Sequence, residues 1–233
     1  MKKIFKTLTM ALVAGSMLVG TTACNMSNTG KGALIGGGGG AGLGAGIGAL
    51  IGGGKGAAIG AGVGAAVGAG AGALIGNKMD KQKKELEEQL ANANVEETTD
   101  ANGLKAIKVT FEGGILFPTN GTTISASAKN ELTKFANSLK SNPDTDVYVY
   151  GFTDNTGKMS VNERISTERA KSVLTYLVNQ GVASSRVTSQ GIAMADYVAS
   201  NETAEGRAQN RRVEIYISAN KDMIEKAENG TLK

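Results

Sequence analysis

Apolar positions between residues 105 and 218 recur in two rhythms. Ile107, Val109 and Phe111 alternate with polar neighbours, which predicts a strand over 106–111. The stretch 145–152 alternates too, with Val147, Val149 and Gly151 on one side and Tyr148 and Tyr150 on the other. Between these strands Ala128, Leu132, Phe135, Ala136 and Leu139 fall at helical spacing behind Ser125, a natural N-cap. Ile165, Ala170, Val173, Leu174 and Leu177 mark a second helix. Ser160 and Glu163 have capping-box spacing at its start, and Gly181 stands at its end. Two more strands follow, at 187–190 and 213–217. The order β-α-β-α-β-β predicts an α/β sandwich over 102–219, with two helices on one face of a mixed sheet.

The pattern upstream is different. Residues 30–53 align with 54–77 at 17 of 24 positions, and a glycine stands at every fourth residue from Gly32 to Gly76. On a helix that spacing leaves one face of bare backbone, which a second helix can approach closely. Lys55 is the one charge between Lys31 and Lys78, so two uncharged runs remain, each long enough to cross a hydrocarbon core. Helix in water would cost roughly 1 kcal/mol per glycine relative to alanine, whereas in lipid the backbone has no other partner. The expectation is a glycine-zipper helical hairpin in the membrane over 30–77, turning near Gly52-Gly53-Gly54-Lys55. A glycine-rich linker and a surface for homo-oligomers are the alternative readings. Residues 78–101 read as a short solvated helix with a thin stripe of Met79, Leu86 and Leu90, followed by a loose polar segment. Residues 220–233 read as a tail.

Composition narrows the chemistry. The 233-residue chain contains no histidine and carries a formal charge of +4, with 4% aromatic residues. The commonest general base and metal ligand is therefore missing, and no basic, aromatic-studded surface for nucleic acid stands out. Metal and cofactor sites are not expected. The single cysteine, Cys24, excludes an internal disulfide. It follows a basic start (Lys2, Lys3, Lys6), an apolar run from Leu8 to Val19 and the small residues Gly20-Thr21-Thr22-Ala23. Residues 1–23 thus read as a secretory signal. The residues before Cys24 resemble a bacterial lipobox, which implies acylation of Cys24 and a lipid-anchored segment at 24–29. Ordinary cleavage after Ala23 is the alternative.

The sandwich region carries a resemblance. Gly151-Phe152-Thr153-Asp154-Asn155-Thr156-Gly157 is followed by Asn162-Glu163-Arg164-Ile165-Ser166-Thr167-Glu168-Arg169-Ala170, and later by 201–215, NETAEGRAQNRRVEI. This resembles the OmpA-like, peptidoglycan-associated domain family. With the lipobox and zipper in front, the chain is similar to an OmpA-family lipoprotein with an N-terminal glycine zipper. Phe152 departs from the histidine of many members, and 196–199 from a proline-containing segment.

The resemblance implies a partner: the peptidoglycan layer, held through the diaminopimelate of its stem peptide. That residue ends in an ammonium and a carboxylate on one carbon. An aspartate can accept from the ammonium, and a guanidinium can grip the carboxylate with two parallel hydrogen bonds. The family's binding aspartate falls on Asp154 and its arginine on Arg169, with Asn120 and Asn162 at pocket-lining positions. A direct Asp154–Arg169 pair is the bland alternative. Arg207, Arg211 and Arg212 are expected to brace the last strand and its neighbouring loop, with Asp196, Glu205 and Glu214 within the sequence as partners.

The leading expectation is a non-enzymatic tether in the outer membrane with its C-terminal domain in the periplasm. A zipper oligomer or pore merely positioned by that domain comes second. A wall hydrolase comes third, since no paired-carboxylate or metal cluster stands out.

Overall fold

The alternation over Thr145–Phe152 becomes strand β3, with the bounds expected. In the computed structural model, which describes residues 67–233 apart from 101, 119 and 120, it lies in a five-stranded sheet ordered β1-β2-β5-β3-β4. The other strands are β1 (Asn94–Thr99), β2 (Lys105–Glu112), β4 (Val187–Ile192) and β5 (Arg212–Ala219). β3 and β4 are parallel, and every other pairing is antiparallel. The helices are α1 (Ala69–Gln89), α2 (Gly113–Leu116), α3 (Ala126–Ser141), α4 (Met159–Asn179), α5 (Ala204–Asn210) and α6 (Lys221–Glu228). Cys24, Asn120 and most of the 30–77 zipper lie outside the described residues.

One sheet face forms the main core. Ile107, Val109 and Phe111 of β2, Val147 and Val149 of β3 and Val213, Ile215 and Ile217 of β5 are buried there beneath Leu132, Phe135, Leu139, Val173 and Leu177. Ser125 caps α3 as expected, accepting from the Ala128 N–H at 3.1 Å. The capping box at Ser160 and Glu163 does not form. α4 begins at Met159 with Lys158 as its N-cap and no side-chain cap bond, because Gly157 (φ 90°) turns the chain into the helix earlier. The opposite face holds a smaller cluster of Tyr150, Phe152 and Tyr216.

Three segments differ from the expectation. α1 is one unbroken helix from the last turns of the glycine repeat to Gln89, and its stripe is buried, not solvated. The stripe begins at Ala71 and Ile75 and continues through Met79, Gln82, Leu86 and Leu90. Its cover includes α6, whose Met223, Ile224 and Ala227 are buried in the same core. Residues 220–233 thus contain a packed helix, capped by the Asn220 side chain at 3.0 Å from the Met223 N–H. The polar segment expected to be loose contains β1. It is held by its ladder to β2 and by cross-strand ion pairs, Glu96–Lys108 at 2.9 Å and Glu97–Lys105 at 3.2 Å. The packed unit therefore runs past the boundaries expected at 102 and 219.

Among the described residues no helix is long and apolar enough to cross a membrane.

Candidate functional site

A row of paired residues across the sheet runs Phe111, Val213, Gly151, Gly191. Side-chain volume falls to nothing at its β3–β4 end, and α4 settles into the gap. A Cβ on Gly151 would run into the Ser166 carbonyl, and one on Gly191 into the Thr167 backbone and the Ser166 hydroxyl. Only glycine allows this approach. It fixes α4 against the sheet, so that Arg169 on the helix faces the loop that leaves β3 carrying Asp154.

Asp154 is 5% exposed. Its Oδ1 accepts the Thr156 N–H at 2.8 Å, closing a local turn, and its Oδ2 accepts from Arg211 Nη1 at 2.5 Å. Burial pushes this carboxyl up. The Thr156 and Arg211 hydrogen bonds, with the Arg211 charge, outweigh burial and hold it below the usual carboxylate range. Arg169, also 5% exposed, donates from Nε to the Gly121 carbonyl at 3.0 Å and lies 5.3 Å from the centre of the Phe117 ring. Among the described residues its Nη atoms make no hydrogen bond. Burial first, then the Arg211 charge, draws its pKa below the ordinary arginine value, and Asp154 acts in the opposite sense. Asn162 donates to the Thr156 and Lys158 carbonyls at 2.9 and 3.1 Å, tying the Asp154 turn to the start of α4.

These three residues line one cleft of about 900 Å³. Gly113, Phe117 and Pro118 form one wall, α4 another through Val161, Ile165 and Arg169, and α5 and its end a third through Arg207, Ala208 and Arg211. Arg164, Arg169, Arg207 and Arg211 face Asp154 and Glu112, a formal excess of two positive charges. The cleft can therefore take an ammonium at Asp154 and carboxylates at the arginines. Among the described residues no group of acidic, histidine or cysteine side chains could hold a metal ion.

The structure brings together Asp154, Asn162 and Arg169. It does not pair Asp154 with Arg169, because Arg211 takes that place. The expected brace is met by two of the three arginines. Arg207 holds the neighbouring loop, donating to the Asn201 and Glu202 carbonyls at 2.8 and 3.1 Å, and Arg212 holds the last strand, donating to Glu214 Oε1 at 2.6 Å and to the Asp196 carbonyl at 2.9 Å. The Arg212 guanidinium lies 3.8 Å from the Phe152 ring centre, on the sheet face away from the cleft. Arg211 is the site residue the sequence reading missed. A signal for it existed: neighbouring residues entering a strand point to opposite faces, so Arg211 and Arg212 could not both brace one side.

Residues 116–211 match the OmpA family, and residues 1–83 match the YMGG-like Gly-zipper. The chain thus carries a domain of the OmpA family, joined to a glycine-zipper segment. The probable lipoprotein YiaD of Escherichia coli is 40% identical over 143 residues, 61% of this chain and 64% of that protein. The peptidoglycan-binding protein ArfA of Mycobacterium tuberculosis is 41% identical over 113 residues, 48% of this chain and 35% of that protein. The alignment thus spans under two thirds of either relative. The structure of the cell wall anchor of the T6SS from Pseudomonas aeruginosa is 27% identical, with a TM-score of 0.50 over 60% of this chain and 96% of that one.

Proposed function

We propose that this chain is a membrane-anchored lipoprotein that holds peptidoglycan non-covalently through the diaminopimelate of the stem peptide. The observation that carries the reading is the meeting of Asp154 and Arg169 in one cleft, from a strand-end loop and a helix face. Asp154 is ionised at neutral pH and accepts the ligand's ammonium. Arg169 is anchored through Nε, which leaves its Nη donors for the ligand's carboxylate. Asn162 keeps the Asp154 turn in place, and Asn120 adds a polar contact by the family resemblance. ArfA, a peptidoglycan-binding protein, and the T6SS cell wall anchor support peptidoglycan as the partner. Nothing in this chemistry calls for catalysis. The ligand's charges are matched by fixed groups and no bond has to break.

Cys24 supplies the lipid anchor and the zipper a second hold on the outer membrane, with the OmpA-family domain in the periplasm. Two experiments test this. Full-length protein in detergent should sediment with purified sacculi and be released by free diaminopimelate, and retention at saturating diaminopimelate would count against the proposed site. Cys24→Ser combined with deletion of 30–77 should leave the membrane fraction once the wall is digested. A double variant that stays there would refute the two-part anchor.

A further inference from the structure

Arg211 occupies the place the proposed ligand needs. The Asp154 side chain is 8% exposed, and its Oδ2 is taken by Arg211 Nη1, whose side chain is 42% exposed. An ammonium arriving at the same oxygen meets a cation of like charge, so the two compete. The backbone of Arg211 cannot yield, because its carbonyl accepts the Gly113 N–H at 2.6 Å and its N–H donates to the Arg207 carbonyl at 3.1 Å. Its side chain can. Its one hydrogen bond among the described residues is the contact with Asp154.

The other cleft arginines are engaged. Arg207 donates to the Asn201 and Glu202 carbonyls at 2.8 and 3.1 Å, Arg164 pairs with Glu168 at 3.0 Å, and Arg169 is assigned to the ligand's first carboxylate. When ligand takes Asp154, Arg211 is therefore released into a cleft already in positive excess. The favourable outcome is a second anion on the ligand.

We infer that Arg211 is an internal stand-in for the ligand's ammonium that, once displaced from Asp154, reads a second carboxylate on the stem peptide. This rests on the peptidoglycan reading above. It makes the site bind a peptide more tightly than an isolated amino-acid end, which still enters at higher concentration, because the second carboxylate offsets the broken ion pair. Two carboxylates have the right chemistry: the free α-carboxylate of the γ-linked glutamate that precedes diaminopimelate, and the terminal carboxylate of the peptide.

Calorimetric titration of the full chain in detergent distinguishes them. The ligands are a stem tetrapeptide, its glutamate α-amide and its terminal amide, each against wild type and Arg211→Gln. One amide should weaken wild-type binding about tenfold or more, the scale of a lost charge-assisted hydrogen bond. Arg211→Gln should be insensitive to that same amide, and should bind it more tightly than wild type does, because Asp154 no longer has a competitor. Which amide shows the coupling names the carboxylate. Equal amide penalties in wild type and Arg211→Gln, or no penalty in wild type, would overturn the inference while leaving the diaminopimelate site intact. Wild type that binds none of the three ligands would sink both readings. The wild-type amide comparison needs no variant. If Arg211→Gln fails a melting check, Arg211→Lys replaces it and should show a reduced amide penalty; a full wild-type penalty there refutes the role of the guanidinium.

Discussion

Replacing Gly151 with alanine adds one methyl group to the centre of the sheet and should disturb both stability and binding. The new Cβ would overlap the Ser166 carbonyl and crowd the Ala170 backbone. Both neighbours are main chain of α4, so no side-chain rotation relieves the clash and the helix must lift from β3. Overpacking of this kind costs about 1–3 kcal/mol, which in a unit of this size lowers the melting temperature by roughly 2–12 °C. The lifted helix carries Arg169, whereas Asp154 stays with β3. The geometry between the two changes, and affinity for diaminopimelate should fall by at least tenfold in protein that is still folded. Gly76→Ala is the matched control. A Cβ there meets nothing within 4 Å, and the position is inside α1, so stability should rise by up to about 1 kcal/mol. Thermal melts followed by circular dichroism, paired with diaminopimelate titration, read both effects. A Gly151→Ala protein that melts and binds like wild type would refute the claim that bare backbone sets the site.

Leu86→Ala should cost about 2–5 kcal/mol in chemical unfolding, because Leu86 is fully buried on the inner face of α1, whereas exposed Lys84→Ala should change stability by less than about 0.5 kcal/mol. Equal small effects would restore the solvated-helix reading. Arg186→Ala should destabilise by about 2–4 kcal/mol without altering ligand affinity, since Arg186 bonds the Leu139, Asn142 and Thr145 carbonyls and lies outside the cleft. The Asp154 carboxyl titrates lower in the fold than its unfolded value of about 3.9, so its stabilising contribution is complete above that value and is lost as pH falls through the folded one. The stability gap between wild type and Asp154→Asn should hold steady from pH 7 to about 5 and narrow below about 4. A gap that narrows near neutrality would contradict the assigned direction.

The strands β2 and β3 were legible because apolar residues alternate along them, and Ile107, Val109, Phe111, Val147 and Val149 are buried as expected. β5 is buried along its whole length, on both faces of the sheet. β1 was not legible, since Asn94-Val95-Glu96-Glu97-Thr98-Thr99 has no alternation of its own and becomes a strand through β2's ladder and lysines. The stripe of α1 was seen from Met79 onward, but its first two members belong to the glycine repeat and one of its covers is a helix of eight residues near the C-terminus. Such a partner leaves little periodicity to read. At the site, Asp154, Asn162 and Arg169 were found through motif resemblance, and the structure sets them in one cleft. The partner that defines the role of Arg211 lies 57 positions away, so its place next to Arg212 at the start of β5 was the one local sign of that role.

The two-pronged grip of Arg169 is the centre of the proposed wall binding. Sacculus binding of full-length wild type, Asp154→Ala, Arg169→Ala and Arg169→Lys, each beside its own thermal melt, tests it directly. Every variant should remain folded, and each should lose about tenfold or more in affinity, a lost charged hydrogen bond being worth roughly 1.5–3 kcal/mol. Arg169→Lys should fall with the others, because an ammonium keeps the charge but cannot make two parallel bonds to one carboxylate. Folded Asp154 and Arg169 variants that bind sacculi as wild type does would contradict the account and remove this cleft from wall binding.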